Sequence, residues 1–334
     1  MNSSTSSSDL AFGRCLVACF ATLGLGALLI LVLMIAVDPY DSGRFGWLGI
    51  AGVTDKIEST ADASRARDPH FDSAIFGDST GQLLNPARLS QATGARFVQL
   101  VAPGAYPRAH LAILDFFLRH HPRVGALVIV MDDLWCTREL ARRPRNSFPF
   151  WLYRGNTLEY AGRLFSWSAI DRLVQRITIG LGVRARMNPD GFWSYEEVWP
   201  PGEKQPAIAP LEEPPPFTGK VSDAFPVEAL LGDAIGKLPT DVAVVLLMPP
   251  TFYTMVPRPG SFAAAEHEAC ATAFRRIVAG RSRSNFIDYR VDNALTRDPA
   301  NFADLFHYRA KIARKMEEGI VASIRLGQAA KIDF

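Results

Sequence analysis

The chain has 334 residues, 48% of them apolar and 21% charged, a balance that supports a full hydrophobic core and excludes a chain disordered throughout. Its formal net charge is +2 and it carries no basic run interleaved with aromatics, so nothing in it calls for nucleic acid as a partner.

Residues 1–14 open with the Ser-rich stretch MNSSTSSSD and are expected to form a disordered cytoplasmic tail. From Cys15 to Val37 there are 23 residues without a charge, enough to cross about 30 Å of hydrocarbon as a helix. The run exceeds the apolar region of a cleaved signal peptide and ends at Asp38-Pro39-Tyr40 instead of a small-x-small cleavage site. Residues 15–37 are therefore expected to be an uncleaved transmembrane signal anchor. The tetrad Leu16-Val17-Ala18-Cys19 looks like a lipoprotein processing box, but it precedes the apolar run instead of closing it, so Cys15 and Cys19 are read as residues of the membrane helix. Arg14 lies before the run and Asp38 and Asp41 lie after it, which favours a cytoplasmic N-terminus. The expected protein is a single-pass inner-membrane protein with an extracytoplasmic, periplasmic body.

Residues 38–70 are polar, with Gly and Asp throughout and little periodicity, and read as a stalk with room for one short helix. A regular alternation starts at Phe71: strand-like DSAIF, a short helical piece from Pro86, ARFVQLVA, an amphipathic stretch from Pro107 to His121, then VGALVIVMD. This β-α-β-α-β series predicts an α/β fold, a three-layer α/β/α sandwich on a mostly parallel sheet, over residues 71–334.

The series breaks between about residues 137 and 220, too long an excursion for a crossover, and this segment is expected to be an inserted helical and aromatic cap. It opens with the basic loop RELARRPRN. It then carries a helical pattern that places Leu158, Ala161, Phe165, Leu173 and Ile177 near one face, and it ends in a Pro-rich run. The alternation then resumes with a helix near Val227–Leu238, DVAVVLLMPP, a helix from Phe262 to Gly280, NFIDYRV, and a last helix after His307. Beyond the membrane run the only cysteines are Cys136 and Cys270, which either pair in an oxidising compartment or stand as two buried thiols; neither has a metal-ligand spacing.

Two positions carry chemistry. Ser79 follows a strand at Gly77-Asp78-Ser79, where it is either a helix cap or a nucleophile held on a strand-to-helix turn. A hydroxyl nucleophile needs a base, and Asp304 and His307 stand three residues apart near the other end of the chain, where the carboxylate can fix the imidazole's tautomer. Asp78 is read as a turn-holding residue, and His110, His120, His121 and His267 as surface or packing residues.

Taken together these motifs resemble the SGNH/GDSL hydrolase family, whose first block is GDS and whose last is D-x-x-H. The resemblance covers residues 71–334 apart from the excursion. It implies an ester hydrolase or O-acyltransferase with Ser79, His307 and Asp304 as catalytic triad, an oxyanion hole formed by the backbone N–H groups of Ser79 and Gly104, and no metal or cofactor. The family's third block is G-x-N-D, whereas this chain has VMDDLWC, so Asp132 or Asp133 stands where an asparagine would complete the oxyanion hole. The aspartate is then turned away, or protonated in a buried site, or the hole uses two amides. Membrane-anchored members resemble envelope-polymer acylation and deacylation proteins, which implies an acylated glycan or small acyl ester as substrate and an integral-membrane acyl-transferring partner. Aromatic residues, Trp135, Trp151 and Trp193 foremost, are candidates for a sugar-binding platform. The other reading is a catalytically inactive glycan-binding or assembly subunit of the same fold.

Overall fold

The computed structural model describes residues 7–54, 58–138 and 148–327. The basic loop RELARRPRN therefore lies outside the described residues, Arg138 excepted, as do residues 1–6 of the Ser-rich head. The chain forms two compact units, one of residues 1–54 and 156–186, the other of residues 55–155 and 187–334.

The second unit is built on five strands: β1 (Ser73–Gly77), β2 (Phe97–Val101), β3 (Ala126–Val130), β4 (Ala243–Met248) and β5 (Asn285–Asp288). They pair in the order β2-β1-β3-β4-β5, every pair parallel. Strands β1 to β4 are buried at every position, which explains their mostly apolar sequences, Ser73 of β1 and Gln99 of β2 excepted: both faces of a parallel sheet are covered. Numbering helices along the whole chain, α1 (Ser7–Val37), α6 (Thr157–Leu164) and α7 (Trp167–Gly180) belong to the first unit. The second unit holds α2 (Glu58–Ala66), α3 (Pro86–Thr93), α4 (Pro107–His120), α5 (Phe150–Tyr153), α8 (Pro226–Gly236), α9 (Phe262–Val278), α10 (Ala294–Arg297) and α11 (Ala310–Leu326).

Ile75, Val128, Val130, Val245, Leu247 and Ile287 pack with Leu89 of α3 and with Ile312, Met316 and Ile320 of α11 in one buried cluster. The alternate strand residues look the other way, where Phe76 meets Phe117 of α4 edge to face at 5.9 Å. On that side α4 touches α2 and α8, and α8 touches α9. The stretch read as a stalk is not uniform. Its part α2 lies inside the second unit against β2 and α4, with Ala61, Ala63 and Ala66 fully buried. Small side chains permit that close approach. The buried ion pair of Asp62 with Arg65 (3.2 Å) hides the segment's burial from a hydropathy reading.

In the first unit α1 is the one described helix long and apolar enough to cross a membrane, over Ala11–Val37. It starts at Ser7, so part of the expected tail is helical. Past Val37 the backbone turns through left-handed conformations at Asp38 (φ 53°) and Asp41 (φ 49°), which aspartate tolerates better than most residues. The Asp38 carboxylate accepts hydrogen bonds from Ser42 Oγ (3.1 Å), the Gly43 N–H (2.9 Å) and the Tyr160 hydroxyl. Arg176, 2% exposed on α7, donates to the carbonyls of Val37 (3.1 and 3.3 Å), Gly52 (2.6 Å) and Ile50, and pairs with Asp41 at 3.2 Å.

The helical face expected across residues 158–177 does not exist as one face. Ser166 accepts from the Ala169 N–H and starts a new helix, so α6 and α7 are separate. Their buried residues are Tyr160, Leu164, Ala169, Leu173 and Arg176, while Leu158 and Phe165 point outward.

Candidate active site

Strand β1 ends on Gly77, where an added Cβ would lie 2.8 Å from Val130 Cβ and 3.0 Å from Val130 O of the neighbouring strand. Only glycine lets the strand end this close to β3, and the chain then breaks into the 3-10 turn Ser79–Gly81. Asp78 caps that turn, its Oδ1 accepting from the Thr80 N–H (2.9 Å) and the Thr80 hydroxyl (2.6 Å). Buried Gln99 on β2 donates its side-chain amide to the carbonyls of Gln82 (2.9 Å) and Leu84 (2.8 Å), fixing the chain beyond the turn. Ser79 is thus half-buried at the carboxyl end of a central strand, where open parallel sheets bind their ligands.

His307, 228 residues away, brings its Nε2 to 2.9 Å from Ser79 Oγ. Its Nδ1 lies 2.7 Å from Asp304 Oδ2. Asp304 Oδ1 accepts from the N–H groups of Phe306 (2.8 Å) and His307 (2.7 Å), so the tight loop itself positions the carboxylate. Burial works against its ionisation, but the hydrogen bond from His307 and the two backbone N–H groups prevail and hold the Asp304 carboxyl down at about 2. An ionised Asp304 only accepts, so Nδ1 carries the proton and Nε2 is left to accept from the Ser79 hydroxyl.

Five contacts that the sequence did not reveal lock this meeting of distant segments. Tyr308, next to His307, donates its hydroxyl to the Thr80 carbonyl, next to Ser79. Tyr195 donates to the Tyr308 carbonyl and sets its ring against His307, centroids 5.5 Å apart. Trp199 closes in on the same imidazole at 5.4 Å, and Arg309 donates to the Trp199 carbonyl. The adjacency of Tyr308 to the D-x-x-H motif was a usable signal; Tyr195 and Trp199 lie in an irregular aromatic-rich segment with no periodicity to mark them.

Gly104 sits in the exposed loop after β2 with φ +68°, a left-handed conformation suited to glycine. Among the described residues no backbone carbonyl takes the N–H of Ser79 or of Gly104 in the turns and loops around them. Asp132 follows β3 and caps the 3-10 turn Asp133–Cys136 by accepting from the Leu134 N–H (3.1 Å). Burial, and next the charge of Asp78, push its carboxyl well above the usual carboxylate range, against the pull of Arg290. Asp133 is turned outward and ion-paired with Arg290.

Of the aromatic platform candidates, Trp135 has to be withdrawn: it is 2% exposed, stacked on His110 at 6.1 Å and edge-on to Phe274 at 6.2 Å, a core residue fixed by the turn that follows β3. Trp193 packs partly buried against the core cluster, and Trp151 is half-buried on α5. The rings that flank the imidazole are Tyr195 and Trp199. Cys136 of the same turn is disulfide-bonded to Cys270 of α9, 134 residues along the chain. Among the described residues no group of three or more His, Cys, Asp or Glu side chains is placed to hold a metal ion.

The arrangement can do one thing directly: move a proton from a hydroxyl to an imidazole whose other nitrogen is held by a carboxylate. No protein-family model matches this chain, and no curated protein matches it.

Proposed function

We propose that this protein is a membrane-anchored serine esterase or O-acyltransferase of the SGNH/GDSL type. The observation that carries the reading is the Ser79–His307–Asp304 chain of contacts, 2.9 and 2.7 Å, assembled from segments 228 residues apart. Helices α3 and α11 on one face of the sheet and α2, α4, α8 and α9 on the other fit a three-layer sandwich.

In the proposed reaction His307 Nε2 takes the Ser79 proton as Oγ attacks the ester carbonyl carbon. The resulting oxyanion is held by the N–H groups of Ser79 and Gly104, each such donor contributing about 3–4 kcal/mol in transition-state stabilisation. His307 then returns the proton to the departing alcohol as the C–O bond breaks, leaving an acyl group on Ser79. Water or a sugar hydroxyl, deprotonated by His307, attacks that acyl-enzyme and frees the serine. Neither aspartate of the third block opposes the oxyanion: Asp133 is neutralised by Arg290, and Asp132 is held toward its uncharged form.

Helix α1 is the proposed anchor, spanning the inner membrane with Arg14 on the cytoplasmic side. The Cys136–Cys270 disulfide supports an oxidising compartment for the body, outside the cytoplasm. Tyr195 and Trp199 offer ring faces beside the imidazole suited to a sugar, in keeping with an acylated envelope glycan as substrate and an integral-membrane acyl donor as partner.

The test is labelling of the full-length protein with a serine-reactive fluorophosphonate, together with acetate release from acetylated oligosaccharides. Both are expected in the wild type and neither in Ser79→Ala. Wild-type protein that takes no label, with envelope acylation unaffected by Ser79→Ala, would instead make the chain a non-catalytic glycan-binding or assembly subunit.

A further inference from the structure

The first unit carries an outward face that its own fold does not explain. Leu158 (85% exposed) stands on the first turn of α6 and Phe165 (73%) caps its end. Trp167 (83%), Val174 (55%) and Leu181 (72%) follow at intervals of seven along α7 and its end, opposite the buried Ala169, Leu173 and Arg176. Trp47, in the turn after α1, is 77% exposed. Isolated exposed apolar residues are ordinary, but this many on two consecutive helices mark an interaction surface.

What covers it follows from where these helices are fixed. Only the end of α1, from Leu33 on, is shielded by protein; Met34 and Val37 are 2% and 1% exposed, whereas Leu23, Leu25, Leu28 and Val32 stay open. Helix α7 packs on α1, and its Arg176 clasps the Val37 carbonyl, the last residue of the apolar run. The shielded residues occupy about 7 Å of helix axis, comparable to the head-group layer that flanks the hydrocarbon on one side. Charge agrees: leaving out the buried Arg176, which Asp41 compensates, residues 156–186 contain four arginines against Glu159 and Asp171, a surplus of two positive charges, and tryptophan and arginine are the residues that settle at such boundaries.

We propose that α6, α7 and Trp47 form an interfacial lipid-binding surface, lying in the head-group layer of the leaflet into which α1 emerges and contacting anionic lipid. The inference rests on α1 being the membrane span. The unit is then a two-part anchor, one helix across the bilayer and two short helices along its surface.

The experiment places the full-length protein in vesicles of phosphatidylcholine and phosphatidylglycerol, with or without brominated acyl chains, and reads vesicle flotation and tryptophan emission. The chain has six tryptophans. With Trp47 and Trp167 at the interface, brominated lipid should remove roughly a third of the wild-type emission and almost none from the Trp47→Phe, Trp167→Phe double variant. Both residues are exposed, so the variant keeps its fold. Floated protein whose quenching is absent, or the same in both forms, overturns the proposal. Acrylamide then tells a water-facing surface (the double variant loses its quenching) from one covered by protein (it does not). Protein that fails to float refutes α1 as the span and the surface with it, a result distinct from floated but unquenched protein.

Discussion

Two polar assemblies in this molecule use the same kinds of group for opposite ends. Around Arg176 a guanidinium, two carboxylates and a phenol are sealed from solvent, and the donors are met by fixed carbonyls and by Asp41. Around Ser79 the groups are half-exposed, the hydroxyl and imidazole face each other, and two backbone N–H groups have no backbone acceptor among the described residues. Burial with every valence met makes a scaffold, because ionised groups in a low-dielectric interior persist only when fully compensated. Partial exposure with valences in reserve makes a site that can accept something else.

The contrast breaks most visibly at Ser79. Ser79→Ala should reduce ester turnover by on the order of 10⁴-fold or more while leaving the melting temperature unchanged, as rate assays and thermal melts on one preparation would show. Arg176→Met should do the reverse. It removes the cation that compensates the buried Asp41 carboxylate, which keeps the Gly52 N–H (2.8 Å) but not its countercharge, costing about 3–5 kcal/mol in stability, seen as early thermal unfolding and as protease sensitivity of residues 156–186, with turnover per folded molecule intact. Tyr308→Phe sits between the two. It leaves the Thr80 carbonyl without its donor, a cost of about 1–3 kcal/mol, and loosens the registry of His307 on Ser79, so turnover should fall about tenfold with KM unchanged.

The smallest effect is expected at Asp132. Its folded carboxyl is raised, so the folded state keeps a proton that the unfolded chain releases above about pH 4. Stability at this position is therefore present at low pH and lost as pH rises toward the folded pKa. Asp132→Asn cannot ionise, and its melting temperature should exceed the wild type's by a few degrees at pH 8 and not at pH 4. Equal gains at both pH values would mean that the proton is not there. Asp304 behaves oppositely: with its carboxyl at about 2 it stays ionised across the working range, so an acid limb in the rate profile above pH 4 belongs to another group.

The α/β alternation was legible because strands buried on both faces leave mostly apolar runs and glycine and proline punctuate the joints. Ser79, Asp304 and His307 were legible as two short motifs. The sequence was silent where burial is achieved by polar side chains or small ones: α2 has its alanines and an internal ion pair, and the turn at Asp38 to Gly43 resembles solvent-exposed flank while being sealed by Tyr160 and Arg176. It misled at Leu158 and Phe165, where apolar spacing implied an inward face that a single serine cap rotates away. Trp135 failed as a platform for a related reason, since aromatic content says nothing about which way a strand-end turn directs the ring.

The Thr80–Tyr308 tie has a consequence for synthesis. Ser79 leaves the ribosome 228 residues before its imidazole, an interval of roughly 10–50 s at ordinary elongation rates. During that time the nascent chain holds the hydroxyl with no base to activate it, and the tie cannot close until Tyr308 emerges. A prematurely terminated chain can therefore keep its N-terminal helix and still be chemically silent.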